Sequence, residues 1–128
     1  MTTLPDLAKD LIDSQTFGTL ATTNPNGSPQ TSVIWVKREG DDVIFSTIRG
    51  RRKTLNMERD PRVALMLFDP NDPYVYAEIR GTVSFTTDGG PELIEELSQM
   101  YDGKSFHEKH ADAVRLVCRL KPTKVISR

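Results

Sequence analysis

The chain has 128 residues, 17 Lys+Arg against 18 Asp+Glu, a formal net charge of −1 and a single cysteine. That length fits one domain, and the charge balance excludes a general nucleic-acid binder, which carries an excess of Lys and Arg. One cysteine excludes a disulfide framework and a multi-cysteine zinc site, and Cys118 reads as an inert core thiol in a reducing compartment. The N-terminal MTTLPDLAKDLIDS lacks the basic and apolar regions of a signal peptide. No apolar run approaches the ~20 residues that cross a bilayer. The expectation is a cytoplasmic protein without a membrane partner. An apolar share of 37% is lean for a domain, which points to a core completed by a second subunit.

Residues from Thr3 predict a short helix, with Thr3 and Asp6 as a capping box, Pro5 in the first turn, and Leu4, Leu7, Ala8, Leu11 and Ile12 on one stripe. A strand follows over 16–23, and Asn24-Pro25-Asn26-Gly27 turns it back into a second strand over 29–38. Glu39-Gly40-Asp41-Asp42 leads into a third strand, 43–48. A helix is predicted over 52–59, stopped by Asp60-Pro61. The apolar run 62–68 predicts a strand buried on both faces. After the turn Asp69–Pro73, a long strand over 74–87 places Val75, Ala77, Ile79, Gly81, Val83 and Phe85 on one face. Gly90-Pro91 starts an acidic helix with Leu93, Ile94, Leu97, Met100 and Tyr101 inward. Polar 102–110 reads as a loop or loose helix, and a last strand alternates Val114, Leu116, Cys118 and Leu120 against Arg115, Val117, Arg119 and Lys121. Six strands with short hairpins and helices only as caps predict a mainly β protein with some α, a six-stranded antiparallel barrel. The second and fourth strands are apolar on both faces, which a lone barrel does not need, so a homodimer is expected.

The densest charge cluster is Arg49 with Arg51-Arg52-Lys53, between a strand end and a helix start. Free backbone N–H groups and guanidinium forks suit phosphate, and Thr47 upstream can add a hydroxyl. Cations at a helix N-terminus are otherwise unfavourable. A solvated basic helix start is the plainer reading of the same residues. No P-loop, nucleophile elbow or HExxH motif is present, and His107 and His110 in HEKH read as surface histidines. Trp35 and Tyr76, in strands, could line a planar ring. A phosphate grip with apolar walls and no acid, base or nucleophile set points to a bound cofactor as the reactive group.

The stretch Phe45-Ser46-Thr47-Ile48-Arg49-Gly50-Arg51-Arg52-Lys53 resembles the phosphate-binding signature of the pyridoxamine 5′-phosphate oxidase-like split β-barrel family. Around it, GTLATTNPNGSPQTSVIWV, RKTLNMERDPRVALMLF and IRGTV follow the family's order of elements over nearly the whole chain. The resemblance implies a split β-barrel of the FMN-binding type, a homodimer, and a flavin-type cofactor in each of two interface grooves. Carried over, Ser46, Thr47, Arg52 and Lys53 hold the phosphate and Arg51 adds charge beside them. Ser32, Val33, Ile34, Trp35 and Lys37 line the ring and its polar edge, and Tyr76 comes from the second subunit. The chain ends shortly after its last strand, without the Trp- and Arg-bearing segment of the pyridoxamine phosphate oxidases. Vitamin B6 oxidation is therefore not expected, and the layout resembles deazaflavin-dependent reductases that use coenzyme F420.

The expected function is an oxidoreductase using coenzyme F420 for hydride transfer to a small unsaturated or heteroaromatic molecule. Arg49 and Arg51 exceed what one FMN phosphate requires and would meet a longer anionic tail. The alternatives are an FMN-dependent enzyme of the same fold and a non-catalytic flavin- or deazaflavin-binding module. A haem-binding barrel lacks a convincing histidine. The substrate side is expected to be shaped by the loops 69–73 and 102–110.

Overall fold

The computed structural model describes residues 2–128. In chain order the elements are α1 (Asp6–Asp13), β1 (Gly18–Thr23), β2 (Pro29–Ile34), β3 (Lys37–Glu39), β4 (Asp42–Ile48), α2 (Arg52–Arg59), β5 (Arg62–Asp69), β6 (Asp72–Thr86), α3 (Gly90–Asp102) and β7 (Arg115–Ser127). The strands form one antiparallel sheet in the order β2-β1-β5-β6-β7-β4-β3. The sheet thus has seven strands where six were expected, because the strand predicted over 29–38 breaks at Trp35–Val36 into β2 and β3.

That break sets the architecture. β2 and β3 are the two opposite edges of the sheet, yet only two residues join them. The three steps from Ile34 to Lys37 span at most ~11 Å, so the sheet must curl until its edges nearly meet. The result is a split barrel whose edges approach at one point without pairing along their length.

The barrel interior is filled by alternate residues: Leu20, Val43, Phe45, Leu65, Leu67, Ala77, Ile79, Cys118 and Leu120 are buried completely. α1 closes one end with Leu4, Ala8, Leu11 and Ile12. Its predicted capping box does not form, because Pro5 occupies the N-cap and no side chain caps the helix. Instead the Leu4 N–H donates to the Asp41 carboxylate at 2.9 Å, tying the helix entrance to the β3–β4 turn. α3 packs on the outside of the barrel, where Leu93 and Leu97 meet Ile44, with Trp35, Tyr101 and Val117 around them. β5 is not buried on both faces within one chain. Val63, Leu65 and Leu67 point inward, Ala64 and Met66 are half-buried, and Phe68 is exposed.

Gly81 marks the tightest crossing. The β6–β7 register shifts between Arg80 and Gly81, and a Cβ on Gly81 would lie 2.0 Å from the Lys121 carbonyl oxygen. Gly81→Ala is expected to destabilise the fold by about 1–3 kcal/mol or more, read as a lower urea midpoint. An unchanged midpoint would show that β7 yields freely at this crossing.

Candidate functional site

At the break, Val36 has lost its strand partners. Tyr101 of α3 supplies them: the Val36 N–H donates to its hydroxyl at 3.1 Å, and the Val36 and Thr16 carbonyls lie 2.9 and 3.1 Å from the same oxygen as acceptors. The Tyr101 ring stacks on Trp35 at 5.6 Å and 16°, with Phe17 5.5 Å away on a tilt. Burial pushes the Tyr101 phenol up. Its hydroxyl therefore stays protonated near neutrality and serves as a structural clamp that fixes the Trp35 indole.

A cavity of about 350 Å³ opens beside that clamp. Its apolar wall is Val33, Ile34, Trp35 and Phe17, with Ile94 and Leu97 of α3 behind. Its polar side gathers Ser46 from β4, Arg51 and Lys53 from the start of α2, and Arg115 from β7. The segment Phe106–His110 runs along the rim.

The polar side is built from distant parts of the chain. Pairing of β4 with β7 sets Ile48 opposite Arg115 and Ser46 opposite Val117, and the Arg115 Nη1 donates to Ser46 Oγ at 3.3 Å. The start of α3 leans on the same strand: a Cβ on Gly90 would lie 2.3 Å from the Arg115 carbonyl oxygen. Arg115 is almost buried, with 9% side-chain exposure, lies 4.7 Å over the Phe106 ring and pairs with Glu108 at 2.7 Å. Arg51 is the N-cap of α2, and no side chain caps that helix, so its first N–H groups and positive end are open to an anion.

Among the lining residues four cationic side chains, Arg51, Lys53, Lys109 and Arg115, face one carboxylate, Glu108. Burial, then the charges of Arg51 and Arg115, push the Lys53 ammonium below its ordinary 10.5. The Glu108 carboxyl is held low by its hydrogen bonds from Arg115. The Cys118 thiol, inside the barrel, is pushed up to about 12 by burial and remains neutral. The donor set of two guanidinium groups, an ammonium, a hydroxyl and an open helix start fits a phosphate group, and the adjoining apolar wall fits a flat ring.

Six of the eleven expected residues line this cavity: Val33, Ile34, Trp35, Ser46, Arg51 and Lys53. Five do not. Ser46 and Thr47 are consecutive in a strand and point to opposite faces. Thr47 therefore faces the interior, where its hydroxyl meets Thr54 at 2.8 Å while Thr54 donates to the Ile48 carbonyl at 2.7 Å. Arg52 is exposed at the first position of α2 and is not a lining residue. Lys37 is held by Glu96 of α3 at 2.9 Å. Ser32 Oγ is buried without a hydrogen-bond partner. Tyr76 sits half-buried opposite Phe68 on the outer face of β5–β6. The loop 102–110 does border the cavity, whereas Asp69–Asn71 line a separate cleft against α1. His107 and His110 are exposed on the rim, and no metal-ligating cluster occurs among the described residues. Among the described residues no helix is long and apolar enough to cross a membrane.

The sequence profile described as pyridoxamine 5′-phosphate oxidase matches residues 4–128. The chain belongs to the pyridoxamine 5′-phosphate oxidase family. Membership places it among oxidoreductases, and the split barrel is the family's fold. A solved structure named F420 reductase superposes with a TM-score of 0.87 at 31% identity, covering 98% of this chain and all of that one. A conserved hypothetical protein of Mycobacterium tuberculosis is similar in fold, with a TM-score of 0.74 and 20% identity over 98% of this chain and 88% of its own. The HupZ protein of Group A Streptococcus matches likewise, with a TM-score of 0.74 and 17% identity over 98% of this chain and 94% of its own.

The placement of the cations separates their roles. Lys53→Ala and Arg115→Ala are each expected to weaken inorganic phosphate binding about 10- to 100-fold, from charge-assisted hydrogen bonds of roughly 1.5–3 kcal/mol. Arg52→Ala should leave it within about twofold. Calorimetric titration of the three variants checks the ranking, and an equal loss in Arg52→Ala would contradict it.

Because the folded pKa of Lys53 is depressed, the unfolded chain binds more protons between that value and 10.5. Its contribution to stability is therefore complete above 10.5 and is lost as pH falls through the folded value. A bound anion opposes this by favouring the protonated form. Phosphate-induced stabilisation should thus fade on the alkaline side before 10.5 is reached. Thermal unfolding with and without phosphate across that range checks it, with Lys53→Arg expected to keep the stabilisation.

Proposed function

We propose that the chain is an oxidoreductase that uses coenzyme F420 to reduce a small unsaturated or heteroaromatic molecule, working as a homodimer with a cofactor site at each subunit interface. The observation that carries this reading is the juxtaposition of the Trp35 wall with four cations that only one carboxylate opposes. Likeness to the F420 reductase over 98% of this chain and all of that one supports the choice of deazaflavin.

In this reading Lys53, Arg51 and Arg115 hold the phosphate, with Ser46 as a hydroxyl partner. Lys109 and the exposed Arg49 face a longer anionic tail, a contact weakened by salt. Val33, Ile34 and Trp35 pack the ring, and Ile94 and Leu97 keep water from its covered side. When bound, the reduced coenzyme supplies a hydride to the acceptor. No lining side chain is a well-placed buried acid, so the proton that completes the reduction comes from solvent at the open rim near His107 and His110.

The dimer follows from what one chain leaves uncovered. Val33 is 67% exposed although it lines the cavity, and Phe17 and Phe68 are 57% and 45% exposed. A second copy laid over these residues closes the open side of the groove, with each copy's Tyr76 reaching the other's site. The test is a pair of titrations with coenzyme F420 and FMN alongside sedimentation equilibrium. Tighter F420 binding and a mass twice the chain's 14.4 kDa are expected. FMN co-purifying in stoichiometric amount would transfer the same site to an FMN enzyme, and failure of both cofactors to bind would overturn the reading.

A further inference from the structure

Glu108 is the one acid among the residues lining the cavity, and it grips Arg115, whose side chain is 9% exposed. The Arg115 Nε donates to Glu108 Oε2 at 2.7 Å and its Nη2 to Oε1 at 3.3 Å. This two-pronged pairing is the one a guanidinium makes with phosphate. The fork that would bind the ligand's phosphate is thus occupied by the chain's own carboxylate. Glu108 lies in a segment, 103–114, without helix or strand. The segment is fastened at its start by Ser98 Oγ donating to the Lys104 carbonyl at 2.7 Å and by the Phe106 N–H donating to Glu95 at 3.0 Å. Beyond Phe106, the Glu108 pair is the only ion pair of the segment among the described residues. A second cavity of about 300 Å³ adjoins the first, and both have Ile94, Phe106, Glu108 and Arg115 in their walls.

We propose that Glu108 is an internal substitute for the ligand's phosphate: a phosphate-bearing ligand displaces it from Arg115, and its departure frees residues 107–113, between the fastened start and the Val114 carbonyl held by the Arg49 N–H, and joins the two cavities. The proposal rests on the reading of the cavity as a phosphate site and adds how that site is guarded. Glu108 retains 29% side-chain exposure, so it can be replaced from the solvent side, and the exchange trades one two-pronged, charge-assisted pairing of Arg115 for another. A doubly charged phosphate surrounded by Arg51, Lys53 and Arg115 outcompetes a singly charged carboxylate on one of them. The joined space admits a ligand that extends beyond the ring pocket, past Phe106 towards Pro91 and Ala113.

The experiment uses inorganic phosphate as the probe, with limited trypsin digestion and calorimetric titration of the full chain and of Glu108→Gln. Of the two trypsin sites in the segment, Lys104 lies in its fastened start and Lys109 lies beyond it, so cleavage after Lys109 is the diagnostic one. Phosphate is expected to speed cleavage after Lys109 in the unaltered protein. Glu108→Gln is expected to be cleaved rapidly without phosphate and to bind it about tenfold more tightly, the scale of a competing site removed. Protection of the segment by phosphate, or equal or weaker phosphate binding by Glu108→Gln, would overturn the proposal. Parallel titrations with coenzyme F420 and FMN separate the two levels. If phosphate releases the segment while neither cofactor binds, the latch stands and the cofactor reading falls. If a cofactor binds equally to both proteins, the latch falls alone.

Discussion

The rest of the molecule depends on how two residues, Trp35 and Val36, carry the chain from one edge of the sheet to the other. A backbone in transit between edges has no ladder to join, and buried peptide groups without partners are costly. The Tyr101 hydroxyl meets that need at Val36. In doing so it ties α3 to the barrel seam, stacks on Trp35 and sets the height of the wall behind the cavity. The cavity is therefore a consequence of incomplete closure: a fully paired barrel would have no seam for α3 to cover and no indole turned towards it.

The polar half of the site follows a different logic, one in which stability is not the organising term. Lys53, Arg51 and Arg115 gather at a helix start whose own field disfavours cations, and burial, then the charges of Arg51 and Arg115, lower the Lys53 pKa. Elsewhere several charged side chains are matched in pairs: Arg38 with Asp13, Arg62 with Asp60, Arg80 with Glu78, and Arg119 with Glu39 and Asp42. A local positive excess in this cavity, on a chain whose formal net charge is −1, is what a site for an anionic ligand requires.

Where the sequence was legible, a strong local signal lay behind it. α2 spans Arg52–Arg59 as its basic start and its Asp60-Pro61 stop indicate, and the inward face of β6 is Ala77, Ile79, Gly81 and Val83 as its alternation requires. The seam at Trp35–Val36 was missed because it carries neither Gly nor Pro; an apolar run continues through it, and only the closure of the sheet demands a break. Of the basic cluster and its upstream Thr47, the structure brings Arg51 and Lys53 to the cavity, and linear adjacency does not distinguish them from Thr47 and Arg52. Strand alternation turns Thr47 inward, and Arg52 faces away while Lys53 faces the cavity. That alternation was available as a signal against Thr47. Arg115 carried no such signal, being 62 residues beyond Lys53 and brought there only by the β4–β7 pairing. Tyr101 read as one more inward residue of α3, and its role lies in a hydroxyl contact that periodicity does not report.

The central claim is that one ligand bridges both halves of this cavity, its ring against Trp35 and its phosphate among the cations. The chain contains a single tryptophan, so its fluorescence reports on that wall alone. Titration with coenzyme F420 should quench Trp35 emission to saturation, and the combined Lys53→Ala and Arg115→Ala changes should move the midpoint to much higher concentration while the final quenching stays the same. Quenching that never saturates, or a midpoint indifferent to both substitutions, would contradict the account.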